Sequence, residues 1–128
     1  MGHEPFELSQ NQREMVKYNA KGMLEYSSKE YQRYLSSDRQ KIIHLQQAGE
    51  KLVSAFGEYI DFVNNTSFGN HGERTRHIRE KELSELFQEA NALHEFFYEG
   101  EVNYQRGFIE ELYLRVRRKI KSRITKMR

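Results

Sequence analysis

A chain of 128 residues with a net charge of +2 is long enough for one domain with a continuous core and too short for two ordinary ones. It contains no cysteine, which excludes disulfide frameworks, thiolate nucleophiles and cysteine-based zinc or iron–sulfur sites. Hydrophobic residues make up 37% against 31% charged, at a mean hydropathy of −0.93, so the apolar positions must gather into stripes to be buried at all.

No stretch approaches the roughly 18 consecutive apolar residues of a membrane span. The first residues, "MGHEPFELSQ", lack the basic and apolar regions of a signal peptide. A soluble, cytoplasmic protein without a transmembrane segment is the expectation. Residues 1–8 read as a flexible N-terminal arm, because Gly2 and Pro5 punctuate the segment before any apolar period begins. Residues 9–128 then read as a single domain.

Four helical segments follow. From about Ser9 to Leu35, Val16, Ala20, Met23, Leu24, Ser27, Tyr31, Tyr34 and Leu35 recur at spacings of three and four, which puts them on one side of a helix. At 1.5 Å per residue that helix is roughly 40 Å long. In "SSDRQ", Ser37 or Asp38 is placed to cap the next helix, with Gln40 in the capping-box position for Ser37. Helix two buries Leu45, Ala48, Gly49, Leu52, Ala55, Phe56, Tyr59, Phe62 and Val63 and ends at Asn64 and Asn65. The run "NNTSFGNHG" carries turn-forming residues and no period, so 64–72 reads as the main loop.

Helix three carries Leu83, Leu86, Phe87, Ala90, Leu93, His94 and Phe97 on one face, placing His94 on the buried side. A histidine on an apolar face ordinarily hydrogen-bonds a neighbour, and Tyr26, Tyr31, Tyr34 and Tyr59 offer hydroxyls for it. Gly100 suits a C-terminal cap and Asn103 an N-cap, so helix four turns back antiparallel with Ile109, Leu112, Val116, Ile120, Ile124 and Met127 inward. No alternating strand pattern competes. The fold expected is all-α, an up-and-down four-helix bundle.

Charge is distributed unevenly. "RVRRKIKSRITKMR" holds eight Lys or Arg and no acid, which leaves the rest of the chain at −6. Arg115, Lys119 and Arg123 flank one side of the Val116, Ile120, Ile124 stripe, and Arg117 and Lys121 the other, with Arg118 beside them. Such an array can meet nucleic-acid phosphates, an anionic membrane surface or a partner's acidic face. Cations at a helix C-terminus also simply complement the macrodipole. A second cluster, "HGERTRHIRE", sets His71, Glu73, Arg74, Arg76, His77 and Arg79 in or beside the main loop; adjacent arginines repel a cation, so no metal is expected there. Arg39 and His44 in "RQKIIH" share the spacing of an arginine–histidine pair, but twelve arginines and five histidines make one such match expected by chance. No GxSxG or GxxxxGK[ST] pattern occurs.

Two stretches carry a resemblance. "SSDRQKIIHLQQAGEKLVSAF", with Ala48, Glu50, Lys51 and Ala55, resembles the second helix of the HEPN superfamily. "ELFQEANALHEFFYEG" resembles the signature of the archaeal PaREP paralogue families, which are similar to HEPN domains; Leu93, His94, Glu95, Phe97, Tyr98, Glu99 and Gly100 match as a run. The resemblance covers residues 20–120. It implies a HEPN-like homodimer without cofactor or metal, in which an arginine and a later histidine, with four to six residues between them, cut RNA. Histidine would move the proton of the 2′-OH or the leaving group, and arginine would stabilise charge on the phosphorus oxygens. Counted back from His94, the arginine positions hold Phe87, Gln88 and Glu89. The expectation is therefore a non-catalytic HEPN-like binding module, with His94, Glu95, Tyr98 and Glu99 lining a ligand groove. The resemblance implies RNA or a nucleotidyltransferase-type partner in a toxin–antitoxin-type system. Two alternatives stand beside it: a metal-independent ribonuclease toxin using His94 with Arg74, Arg79 or Arg106, and a nucleic-acid or anionic-surface binder acting through the basic C-terminal helix.

Overall fold

The computed structural model describes residues 3–39 and 41–127. Among them are five α-helices, one short 3-10 turn and a two-stranded ribbon. Helix α1 (Gln10–Ser36) opens on a capping box. The Ser9 hydroxyl accepts from the Gln12 N–H at 3.2 Å, and the Gln12 side chain accepts from the Ser9 N–H at 2.8 Å, satisfying two backbone donors that the helix itself leaves free. Its inward residues are Ala20, Leu24, Ser27, Glu30, Tyr31 and Tyr34, while Leu35, expected inside, is exposed.

Helix α2 (Ile42–Val63) follows after a short turn. The capping box expected at Ser37 involves Gln40, which lies outside the described residues. Because α1 runs on through Ser36, Ser37 closes that helix, donating its backbone N–H to Arg33. Its hydroxyl still reaches the entrance of α2 by accepting the Lys41 N–H at 2.9 Å. Nearly all of α2 is enclosed. Besides the expected face it buries Val53, Gly57, Ile60 and Asp61, and it leaves Val63 half exposed.

The segment expected as a loop contains two elements. Strand β2 (Thr66–Ser67) pairs antiparallel with β1 (Phe6–Glu7), Phe6 opposite Ser67 and Glu7 opposite Thr66. The segment read from sequence as an N-terminal arm is thus joined to the end of α2, with Leu8 buried and its N–H donated to the Asn65 carbonyl at 3.0 Å. Gly69 has a φ of 87°, and a Cβ there would lie 2.7 Å from the His3 carbonyl oxygen, so only glycine lets the two segments approach. Helix α3 (His71–His77) then starts at Asn70, whose side chain accepts the Glu73 N–H at 2.8 Å. It is two turns long with no buried residue, and so it leaves no apolar period in the sequence.

Helix α4 (Lys81–Glu99) ends at Gly100, φ 64°, and a 3-10 turn (Gly100–Val102) leads to α5 (Arg106–Ile124). Phe96, not Phe97, completes the core stripe of α4. Asn103 is not the N-cap of α5. Its amide instead donates to the Glu99 carboxylate, and Gln105 precedes the first turn. All six inward residues expected on α5 are buried, joined by Tyr113.

The cross-links give the course of the long helices. Between α1 and α2, Arg13 meets Phe62, Ser27 meets Ala48 and Glu30 meets His44. Between α2 and α4, Gln46 caps the Phe96 and Phe97 carbonyls while Phe56 packs edge-on to Phe87. Between α4 and α5, Glu80 meets Arg123 and Glu89 meets Arg115. In each pair the residue numbers run in opposite senses, so neighbouring long helices are antiparallel. Three of them share one buried polar knot. The Ser27 hydroxyl donates to the Ala48 carbonyl at 2.7 Å, and the Tyr113 hydroxyl lies 2.8 Å from Ser27 Oγ and 3.1 Å from the Ser27 carbonyl. Burial pushes the Tyr113 phenol up to about 12, so it remains a donor. Tyr113→Phe is expected to lower stability by about 1 kcal/mol, measured by urea unfolding.

Candidate functional site

Glu50, Gly57, Glu58 and Asp61 recur along α2 at offsets of seven, eight and eleven residues, which puts them on one stripe. The stripe faces α3 and the outer side of α4. Carboxylates so enclosed need charged or hydrogen-bonded partners, and both neighbouring helices supply them. His94 on α4 donates from Nδ1 to Glu50, at 2.9 Å to one oxygen and 3.3 Å to the other. Arg74 on α3 forms two parallel bonds to Asp61, at 2.9 and 3.1 Å, the bidentate geometry that suits a guanidinium and a carboxylate. Gly57 makes room for it, since a Cβ there would lie 3.0 Å from the Arg74 guanidinium. Glu58, on the same stripe, is held above the usual carboxylate range by burial first and then by the nearby Asp61 charge.

His71 sits between the two pairs. Its ring lies edge-on to His94, centroids 5.5 Å apart, and 5.6 Å from the Phe87 ring. Its Nδ1 is buried without a hydrogen-bond partner among the described residues. Burial, and then the charges of Arg74 and His94, hold His71 below the ordinary histidine value. The far side of His94 is covered by Tyr98, whose ring is 4.9 Å away and 71% exposed. None of the four tyrosines named from sequence supplies the hydrogen bond to His94; Tyr34, for one, donates to Glu110. The partner is Glu50, 44 residues away in the chain.

Of the expected groove residues, His94 and Tyr98 come together, whereas Glu95 and Glu99 turn toward the α4–α5 connection. Glu95 accepts from the Tyr104 hydroxyl at 3.0 Å, and Glu99 accepts from Asn103. Glu89, in the place of a catalytic arginine, points at α5 and pairs with Arg115 at 3.0 Å. It lies on a different side of α4 from the imidazole. Arg106 pairs with Glu101 at 3.0 Å, and Arg79 is exposed. Arg39 and His44 form no pair. The His44 ring binds the buried Glu30 at 2.9 Å, and Arg33 takes the other oxygen of that carboxylate. Burial opposes ionisation of Glu30, but its hydrogen bonds to His44 and Arg33 outweigh it and hold the carboxyl below its usual range.

The basic residues of α5 separate by environment. Arg115 is on Glu89, Arg117 donates to the Ser28 hydroxyl at 2.9 Å, and Arg123 grips Glu80 at 2.6 and 3.2 Å. Arg118, Lys119 and Arg123 border a groove at the end of the molecule where α2 stops, whereas Lys121 projects away from it. Within the loop cluster, His77 binds the Glu73 carbonyl at 2.8 Å and stacks on Phe68. Among the described residues no group of three or more His, Asp or Glu is placed to hold a metal ion. No helix among them is long and apolar enough to cross a membrane. No family model, curated protein or solved structure matches the chain.

Two outcomes follow from this cluster. Because its folded pKa lies below the ordinary value of 6.5, the contribution of His71 to stability is complete above that value and is lost as pH falls through the lower folded one. Urea midpoints between neutral pH and pH ~5 should therefore drop more for the natural chain than for His71→Phe, which removes the titrating ring. Asp61→Asn leaves the Arg74 guanidinium without its carboxylate. It is expected to cost about 2 kcal/mol, less than for a fully buried pair because Arg74 is partly exposed, and to speed amide exchange in α3.

Proposed function

We propose that the chain is a HEPN-like, up-and-down four-helix bundle with α3 as an added turn, and that it works as a binding module without nuclease activity. The antiparallel course of α1, α2, α4 and α5 supports the fold half of this reading. So does the position of the two motif stretches, whose helical parts fall on α2 and α4.

One observation carries the functional half: the charges around His94 are already paired. The imidazole is on Glu50, and Arg74 is closed in two bonds on Asp61. Cleavage of a phosphodiester needs a cation available where charge grows on the phosphorus oxygens, and a guanidinium chelated by a carboxylate is a poor one. RNA is the ligand we favour, through the basic end of α5, with a nucleotidyltransferase-type partner implied by the resemblance. The same resemblance implies a cytoplasmic homodimer. Tyr98, Val102 and Phe108, exposed around the α4–α5 turn, offer apolar surface that a second copy would cover.

A ribonuclease reading has one specific observation in its favour, the approach of His71 to His94 with Arg74 one turn further along α3. Labelled RNA incubated with the pure protein in EDTA separates the two. Retarded but intact RNA is expected. Cleavage that disappears in His94→Ala would establish the nuclease instead.

A further inference from the structure

The end of the molecule opposite the α4–α5 turn carries a groove of about 720 Å³, bounded by the start of α1, the end of α2, the start of α4, and the last turns of α5 with the residues that follow it. Its cations are Arg13, Arg118, Lys119, Arg123 and Lys126, against the single acid Glu82. Arg123 is neutralised by Glu80, with Glu82 a further 4.0 Å contact. The other four keep their charge. Arg13 bonds only neutral groups, the Phe62 carbonyl at 2.8 Å and the Asn65 side chain at 3.2 Å, and lies flat over the Phe62 ring. Arg118, Lys119 and Lys126 have no ion-pair partner among the described residues. Four like charges gathered in one concavity repel one another and focus a positive potential that an anion relieves.

We propose that this groove binds the phosphate backbone of a nucleic-acid strand without reading its bases, a proposal that rests on the binding-module reading and locates its surface. The form of the groove decides against the other polyanions. A membrane-surface helix needs a free apolar face, and the apolar stripe of α5, Val116, Ile120 and Ile124, is fully buried in the core. Base stacking needs an open ring face, and Tyr59 and Phe62 in the groove are only 8% and 4% exposed. Apart from Val63, which is half exposed and carries no ring, what remains accessible is charge. Arg118 and Ser122, one turn apart on α5, and Lys126, in the turn that follows Ile124, stand at every fourth residue, a row about 12 Å long at helical rise. With one phosphate per roughly 3.4 Å of each strand, that row faces about three phosphates.

The test is a salt series of fluorescence anisotropy titrations of the full chain with a labelled RNA strand, the same sequence as DNA, and each as a duplex. The logarithm of affinity should fall against the logarithm of salt with a slope of about −2 to −3, with little dependence on base sequence. Arg118→Glu combined with Lys126→Glu should weaken binding at least about tenfold and flatten the slope by about one for each cation lost. Lys121→Glu and Lys29→Glu, outside the groove, should leave the slope close to that of the natural chain. Arg118→Gln with Lys126→Gln repeats the loss should charge reversal disturb folding, which circular dichroism monitors. Binding that ignores the groove variants but responds to Lys121→Glu overturns the groove while leaving an RNA-binding module. Cleavage of RNA by a protein whose groove variants still lose affinity overturns the module reading while leaving the groove. Preference for anionic vesicles over every nucleic acid, or binding indifferent to salt, also overturns it.

Discussion

The enclosure of α2 is the constraint from which the rest of the architecture follows. A helix touched by α1, α3, α4 and α5 has little solvent left for its polar residues, yet this one carries Glu50, Glu58 and Asp61 along one stripe. An ionised carboxylate in such surroundings is tolerated only with a charged or multiply hydrogen-bonded partner. His94 meets the demand of Glu50 from α4 and Arg74 that of Asp61 from α3, while burial shifts Glu58 toward its neutral form. The short helix α3, which buries no residue of its own, is tied to α2 by that second pair and packs His71 against Phe87 and His94. The two groups with the chemistry of a catalytic pair, His94 and Arg74, are thus the ones that the enclosed Glu50 and Asp61 require.

The same packing divides the positive charge of α5. Where α5 lies against α4, its arginines find acids, Arg115 on Glu89 and Arg123 on Glu80. Past the end of α2 there are few acids to find, and Arg118, Lys119 and Lys126 stand with Arg13 around an open groove. Phe62 lies twelve residues beyond Glu50 on α2, about 18 Å along the helix. The paired histidine site and the cations without an ion-pair partner among the described residues are therefore separate places on the molecule.

The ribbon and the basic groove also depend on each other. Arg13 bonds the Phe62 carbonyl and the Asn65 side chain, and Asn65 in turn accepts the Leu8 N–H. The N-terminal segment, the end of α2 and one wall of the groove are therefore tied by one short chain of hydrogen bonds. A ligand that engages Arg13 would meet a side chain already oriented, with little rotamer freedom left to lose.

Four long helices were legible in the chain because apolar spacing at three and four residues is a local signal, and Ile109, Leu112, Val116, Ile120 and Ile124 needed only each other to be read as an inward stripe. Gly100 was legible for the same reason, a backbone requirement carried by one residue. The two-residue strands and the two-turn α3 were not, since neither is long enough to show a period. Asn103 misled because an N-cap is defined by where the helix starts, and the 3-10 turn moved that start beyond it. By itself the sequence determined the helical class and the lopsided charge; it set His94 on the buried side of its helix, where the structure leaves a third of the side chain exposed. Tertiary structure alone decided that Glu50 holds this histidine, that Asp61 holds Arg74 and which basic residues among those described find an acid, because such partnerships join residues far apart in the chain and depend on how helices pack, which no local spacing encodes.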